Sequence, residues 1–336
     1  MKKTVLFSVI FFVILFFAMK CDSSSFSSKE IKWKSNGTEL SGTLLLSDNP
    51  AKSLIILIHG SGNIDRTSSL YSAHAKKLAK MGAAVFYYDK RGVGESKGDW
   101  KNATFNDLAL DAIKAIPKLL EYPEVANAKV GFMGFSQGGW INLLAHQQYT
   151  KTSFLISISG SVNTPEDQGR YINKKTLEGL GYGQAIHQIV DSIEMINSKV
   201  YRTNSGWKEA ENFIKPYKSE PWFKDLGLGL QSKDSWNWKW YGNLPSDFNP
   251  KTYLEKLDIP LFAAHGGKDL LVDGNNSYQY LENLKDHGKN ITNYYDVNGR
   301  HGLRDKKTHL IFWKKSYWSD EYWNAIQSWL SEEDLI

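Results

Sequence analysis

The chain has 336 residues, of which 41% are hydrophobic and 23% are charged. This length and balance allow one large domain with an insertion, or two small domains, and they exclude a largely disordered chain. The formal net charge of +5 comes from scattered Lys and Arg residues, which argues against a nucleic-acid-binding protein, because that class concentrates its charge in a patch or stripe.

The N-terminus has the pattern of an export signal. Two lysines precede an apolar run, Val5–Met19, which is short for a membrane span and suits the centre of a signal peptide. Cys21, the single cysteine, and a Ser-rich stretch follow, a layout that resembles bacterial lipoproteins, although Lys20 stands where that family has a small residue. We predict that residues 1–21 are a signal peptide or a membrane or lipid anchor and that residues 22–29 are a tether. We therefore expect a periplasmic, secreted or membrane-anchored protein. The sequence leaves open whether residues 1–21 are cleaved, lipidated or retained.

From Glu30 onward, strand patterns alternate with helix patterns. Asn36-Gly37 predicts the turn of an antiparallel leading pair of strands. Apolar runs predict strands over Ile31–Lys34, Leu40–Leu46, Ser53–His59, Ala83–Asp89, Lys129–Phe135, Phe154–Ser159, Pro260–Ala264 and Ile291–Val297. Helical spacing predicts helices over Leu70–Met81, Phe105–Glu121, Gly138–Gln148, Asn276–His287 and Asp320–Leu330. This alternation predicts an α/β fold with a mostly parallel central sheet and helices on both faces.

The alternation stops between residues 161 and 250. Helical patterns there cover Tyr182–Ile196 and Lys208–Phe213, and no apolar strand is present. We interpret this segment as a helical, aromatic-rich cap, inserted into an α/β domain that comprises residues 30–160 and 251–336. Its Trp-rich stretch, Trp236–Tyr241, is either a carbohydrate-stacking surface or part of the core of the cap.

One short motif indicates a nucleophile. The run Gly134-Phe135-Ser136-Gln137-Gly138 matches G-x-S-x-G, follows a predicted strand and opens a predicted helix. Small residues let the backbone turn sharply there, and the helix directs its positive dipole end at the serine. A glycine-rich turn with a capping serine is the structural alternative. The position between strand and helix favours Ser136 as the nucleophile.

A serine hydroxyl needs a base to remove its proton, and the base needs an acid to orient it. His301 follows the last predicted strand, on a loop at the edge of the sheet, and is the predicted base. Asp269 follows the preceding predicted strand and is the predicted acid, since the order nucleophile, acid, histidine is then obeyed. Asp273 and Asp296 are its rivals, and each is more simply a turn or surface carboxylate.

Acyl transfer also needs hydrogen-bond donors for the negative charge that develops on the substrate oxygen. The run His59-Gly60-Ser61-Gly62 follows a predicted strand, where such a donor loop belongs. The backbone N–H groups of Ser61 and Gln137 are the predicted pair. Predicted supporting residues, which shape or flank the site, are His59, Gly60, Gly134 and Gly138.

Together these motifs resemble the α/β-hydrolase superfamily. The ordered set is HGSG, DKRGVGES (Asp89–Ser96), GFSQGG, the Asp269 loop and His301-Gly302. The segment HGSGNIDR, which begins at His59, is similar to bacterial carboxylesterases that carry H-G-S-G-x-x-D-R. Prolyl-oligopeptidase-like and aminopeptidase-like hydrolases and acyl thioesterases share the overall shape. The resemblance implies a hydrolase that needs no metal and no cofactor, in which Asp89 and Arg91 brace the loops near the site.

The sequence thus predicts a serine hydrolase that cleaves carboxylic esters through a Ser-His-Asp triad and an acyl-enzyme intermediate. A peptidase or an acyl thioesterase is the enzymatic alternative, because a triad does not determine the leaving group. A catalytically silent surface binding protein that keeps the fold is the non-enzymatic alternative. The predicted partner is a small-molecule acyl substrate, with no nucleic acid, and the N-terminus predicts membrane association.

Overall fold

The structure, a computed structural model, describes residues 26–47, 49–232, 235, 248–304 and 317–336. Its centre is a sheet with the strand order β1-β2-β4-β3-β5-β6-β7-β8. The strands are β1 (Phe26–Ser35), β2 (Thr38–Ser47), β3 (Ser53–Ile58), β4 (Ala84–Tyr88), β5 (Lys129–Phe135), β6 (Thr152–Ile158), β7 (Leu261–Gly266) and β8 (Ile291–Asp296). β1 pairs antiparallel with β2, and β2 pairs antiparallel with β4. All further pairs are parallel.

Helices connect the parallel strands. They are α1 (Ser69–Lys80), α2 (Phe105–Leu119), α3 (Gln137–Gln148), α4 (Pro165–Leu180), α5 (Gln184–Thr203), α6 (Trp207–Ile214), α7 (Pro221–Asp225), α8 (Pro250–Lys256), α9 (Gly274–Asp286) and α10 (Asp320–Glu332). The predicted α/β-hydrolase architecture, a mostly parallel sheet covered on both faces, is confirmed. In the described part of the chain, no helix is both long enough and apolar enough to cross a membrane.

The central strand β3 shows why the sheet is covered on both faces. All six of its residues are buried. Successive side chains of a strand point to opposite faces, so Leu54 and Ile56 join the apolar cluster that includes residues of α2, α3 and α9. Ile55 and Leu57 join the cluster that includes residues of α1 and α10. The continuous apolar run therefore fills two cores, and each fully buried side chain stabilises the fold by about 1.5–3 kcal/mol.

The leading hairpin turns at the predicted position. Asn36 and Gly37 both have a positive φ, 47° and 80°, which is the geometry of a two-residue type I′ turn. β1 nevertheless starts at Phe26, which pairs with Ser47. The last four residues of the predicted tether therefore belong to the sheet, because β2 extends far enough to pair with them. The predictions for residues 1–21 and Cys21 lie outside the described residues.

Between β6 and β7 the described residues form helices and no strand. The helices have an apolar cluster of their own, formed by Leu177, Val190, Ile193, Ile214, Trp222, Phe223 and Leu228. Helix α4 was not predicted, because only three of its residues are buried and the apolar spacing is correspondingly weak. Its start does carry a local signal, since the Thr164 side chain accepts a hydrogen bond from Asp167 N and Pro165 follows. The Trp-rich stretch, Trp236–Tyr241, lies outside the described residues.

Candidate active site

Ser136 lies in a sharp turn between β5 and α3. Its backbone has φ 54° and ψ −119°, a region that non-glycine residues adopt at a cost of about 1–3 kcal/mol. The turn is held by the Ser136 N–H, which donates to the carbonyl of Ile158 at 2.9 Å, and by Gly139 N–H, which donates to the Ser136 carbonyl at 2.8 Å. The strained serine thus sits at the N-terminus of α3, where the helix dipole favours negative charge.

Two glycines make this turn feasible. A Cβ at Gly134 would lie 2.1 Å from the carbonyl oxygen of Gly138, and a Cβ at Gly138 would lie 2.5 Å from the carbonyl oxygen of Ile58. Neither neighbour can move away cheaply, because both are backbone atoms. The two glycines of the motif are therefore required by close packing of β3, β5 and α3.

Asp269 and His301 meet at the same edge of the sheet as the serine. His301 Nδ1 lies 2.8 Å from Asp269 Oδ2. The other carboxylate oxygen, Oδ1, accepts hydrogen bonds from the backbone N–H groups of Leu271 at 2.8 Å and Val272 at 3.0 Å. The carboxylate is buried, with 2% of Asp269 exposed. Since an ionised carboxylate only accepts, this hydrogen bond places a ring proton on Nδ1.

The two rival carboxylates have other partners. Asp273 caps α9 by accepting from Asn276 N–H at 3.0 Å, and Asp296 accepts from Asn298 N–H at 2.9 Å. The structure therefore brings Asp269, and neither rival, to the imidazole of His301.

The loop of His301 is fixed through the next residue. Gly302 N–H donates to Ser159 Oγ at 3.0 Å, and the indole Nε1–H of Trp318 donates to the Gly302 carbonyl at 2.7 Å. Tyr171 of α4 donates its hydroxyl hydrogen to the carbonyl of Asp269 at 2.8 Å. Sequence reasoning did not identify these contacts, because they join residues that are 143, 16 and 98 positions apart in the chain.

Ser136 lines two cavities. One, of about 350 Å³, is also lined by His301, Ser61 and Gly60. The other, of about 390 Å³, is also lined by Ser61 and Gln137 and extends between Trp140 and residues of α4 and α5. Ser136 and Ser61 line both cavities, whereas the predicted base His301 lines the first and Gln137 lines the second.

The second cavity, which we call the helical pocket, has mixed walls. Apolar side chains come from Trp140, Ile172, Leu226, Leu228, Leu271 and Val272. Neutral polar side chains come from Gln168, Asn173, Asn197 and Tyr201. Glu194 of α5 supplies the pocket with a carboxylate. Such a surface suits an apolar group with a few polar anchors.

The supporting residues have structural partners. His59 Nε2–H donates to the Tyr88 carbonyl at 2.7 Å, and burial lowers the pKa of His59 to about 3, which keeps the ring neutral. Asp89 accepts from the backbone N–H and Nε of Arg66, at 2.8 and 3.1 Å.

Arg91 Nε donates to Asp111 Oδ2 of α2 at 2.7 Å. Asp89 is thus bound to Arg66, and Arg91 is bound to Asp111. Among the described residues, no group of three or more His, Cys, Asp or Glu side chains is placed to hold a metal ion.

Solved structures with the same architecture include esterases and a peptidase. An esterase of Pyrococcus furiosus superposes with a TM-score of 0.58 at 18% identity, over 91% of this chain and 91% of that chain. Est1E of Butyrivibrio proteoclasticus, with ferulic acid bound, gives 0.56 at 17% identity, over 90% and 99%. An acylaminoacyl peptidase of Pyrococcus horikoshii gives 0.54 at 17% identity, over 92% and 42%. Comparison with curated proteins gives no match.

The fold and the elbow of Ser136 define the class of this protein as a serine hydrolase with the α/β-hydrolase fold. The family model for X-Pro dipeptidyl-peptidases (the S15 family) matches residues 48–309. The chain therefore belongs to the S15 peptidase family.

Proposed function

We propose that this serine hydrolase cleaves carboxylic esters by transferring the acyl group to Ser136. The observation that carries the proposal is the shared cavity of Ser136 and His301, with the imidazole hydrogen-bonded to the buried Asp269 carboxylate. A base oriented by an acid, next to a serine at a strained elbow, is the arrangement that activates a hydroxyl for attack on a carbonyl.

The reaction then has two halves. His301 Nε2 takes the hydroxyl proton while Ser136 Oγ attacks the carbonyl carbon, and the resulting oxyanion accepts hydrogen bonds from the backbone N–H groups of Ser61 and Gln137. His301 returns the proton to the leaving alcohol as the C–O bond breaks. Water, deprotonated by the same imidazole, attacks the acyl-enzyme and releases the acid. Asp269 stabilises the imidazolium in both halves.

A second candidate activity is the hydrolysis of amide bonds one or two residues from a free N-terminal amino group. Two observations favour it. The chain belongs to a family of X-Pro dipeptidyl-peptidases, and Glu194 places a carboxylate in the wall of the helical pocket. An ammonium group of a peptide N-terminus would pair with that carboxylate. The same triad would serve both reactions, so substrate choice would depend on the pocket.

A substrate panel tests both candidates. p-Nitrophenyl esters of increasing acyl length, acyl-CoA thioesters, and aminoacyl and X-Pro anilides are compared at equal concentration, with Ser136→Ala as the control for each. Ester hydrolysis that disappears in the variant supports the primary proposal. Anilide hydrolysis that exceeds ester hydrolysis in kcat/KM would replace it with the peptidase reading, and substantial activity in Ser136→Ala would reject both.

A further inference from the structure

Lys90 is a buried lysine next to the proposed oxyanion loop. It follows β4 within the DKRGVGES motif, and only 2% of its surface is exposed. Its Nζ donates to the carbonyl oxygen of Gly60 at 2.7 Å and lies 5.1 Å from the centre of the Trp100 ring. None of the salt bridges found among the described residues includes Lys90.

Such a lysine is costly to the fold. A buried ammonium with no carboxylate at salt-bridge distance loses its hydration, and the charge of Asp111 offsets this loss only in part. An apolar side chain of similar length would pack there without that loss. Burial lowers the pKa of Lys90 to about 7, which reflects this cost. A residue that weakens the fold in this way is a candidate for a role in function.

The bond from Lys90 acts on one particular peptide group. The carbonyl of Gly60 and the N–H of Ser61 belong to the same planar unit, and no cis peptide bond is present in the described residues. In a trans peptide the C=O and the N–H point in opposite directions. Fixing the Gly60 carbonyl towards Lys90 therefore fixes the Ser61 N–H on the opposite side. When the amine is protonated, its charge also polarises the unit and strengthens its N–H as a donor.

The preceding peptide group is fixed as well. Gly60 N–H donates to the hydroxyl oxygen of Tyr71 at 2.7 Å, so this N–H is engaged within the protein and Ser61 has the next N–H along the loop. Gly60 has no side chain and packs tightly, since a Cβ there would lie 3.1 Å from the Phe135 carbonyl and 3.4 Å from Ser136 Cβ. The loop thus passes directly against the elbow, with Lys90 and Tyr71 holding its two peptide groups.

We infer that Lys90 is a positioning residue of the oxyanion hole, which aims and polarises the Ser61 N–H by binding the Gly60 carbonyl. The inference rests on the proposed function, in which that N–H stabilises the oxyanion. Lys90 itself does not touch the substrate. Its contribution is therefore confined to the transition state, where charge develops on the substrate oxygen.

The test compares Lys90→Met with Lys101→Met on a p-nitrophenyl ester. Lys101 is an exposed lysine that lies 5.9 Å from the same Trp100 ring, so it controls for loss of a lysine against this aromatic. We expect kcat of Lys90→Met to fall about tenfold to a hundredfold, less than the ~10²–10³ loss for deleting an oxyanion donor. KM stays within threefold of wild type, and the Ki of a trifluoromethyl ketone, which forms a tetrahedral adduct with the serine, rises by the same factor as kcat falls.

A purely structural lysine would give a different result. A kcat within threefold of wild type in folded Lys90→Met, or a loss carried by KM with the ketone affinity unchanged, would overturn the inference. If circular dichroism shows Lys90→Met to be unfolded, Lys90→Leu takes its place. Leucine has no donor for the Gly60 carbonyl, and kcat and ketone affinity within twofold of wild type would again overturn the inference. Loss of activity in Ser136→Ala alongside a normal Lys90→Met rejects only the role of Lys90, whereas an active Ser136→Ala rejects the proposed function itself.

Discussion

Replacing Asp269 with asparagine tests the proposed acid through its hydrogen bonds. The wild-type carboxylate accepts from His301 Nδ1 with one oxygen and from the N–H groups of Leu271 and Val272 with the other. Asparagine keeps the shape but offers one acceptor oxygen and one NH₂ donor. Its oxygen satisfies two backbone donors if it faces Leu271 and Val272. The NH₂ group then faces His301.

That orientation reverses the tautomer of the histidine. A donor beside Nδ1 forces this nitrogen to accept, so the proton moves to Nε2 and the base no longer has a lone pair for the Ser136 hydroxyl. The alternative orientation places an NH₂ group against two backbone N–H donors and leaves them unsatisfied in a buried place, at a cost of about 1–3 kcal/mol for each. The first orientation is therefore favoured, and a histidine in the wrong tautomer lowers kcat by about 10⁴-fold.

The assay is steady-state hydrolysis of a p-nitrophenyl ester near neutral pH, with KM determined separately. Asp273→Asn is the matched control, since it makes the same change four residues away on a carboxylate that caps α9. We expect the control to retain kcat and to lose about 1 kcal/mol of unfolding free energy at most. A kcat of Asp269→Asn within tenfold of wild type, or an equal loss in both variants, would refute the assignment of the acid.

Three further predictions concern the pocket, the fold and the elbow. Glu194→Gln should lower kcat/KM for anilides with a free ammonium by about tenfold relative to their N-acylated forms. If the ratio of kcat/KM between the two forms is the same in the variant and in wild type, Glu194 does not recognise the amine. Burial lowers the pKa of His59 and His74 to about 3 and that of His265 to about 4. Below about pH 6.5 these rings therefore take up protons only when the protein unfolds. At pH 5, each ring should lower the free energy of unfolding by about 2 kcal/mol. Urea unfolding at pH 7 and pH 5 measures this, and an unchanged midpoint would contradict it. Gly134→Ala should prevent folding or abolish activity, because its Cβ would lie 2.1 Å from a backbone carbonyl oxygen; a folded, active variant would show that the elbow can relax.

Local signals accounted for the fold. β3 and β5 are short apolar runs bounded by turn residues, and this pattern is typical of central strands buried on both faces. The elbow at Ser136 was predictable because G-x-S-x-G has a steric reason at each fixed position. Asp269 and His301 were predictable from chain order and from their places after β7 and β8, which bring them to one edge of the sheet.

The remaining features depend on contacts between distant segments. Lys90 lies within the DKRGVGES motif, but its hydrogen bond to Gly60 spans 30 residues. A local sequence pattern does not predict where a buried side chain points. The bond from Tyr171 to the Asp269 carbonyl spans 98 residues and starts from α4, a helix whose weak apolar spacing concealed it. The walls of the helical pocket, including Glu194, are likewise a product of tertiary packing.

Covalent labelling of Ser136 is the most direct test of the account. The folded protein is treated with a fluorophosphonate probe, digested, and examined by mass spectrometry, with Ser136→Ala and Ser61→Ala treated in parallel. Activation of one serine by His301 predicts a single adduct on the peptide that contains Ser136, retained in Ser61→Ala and lost in Ser136→Ala together with ester hydrolysis. Hydrolysis without an adduct on Ser136, or an adduct on another serine that tracks activity, would contradict the central claim.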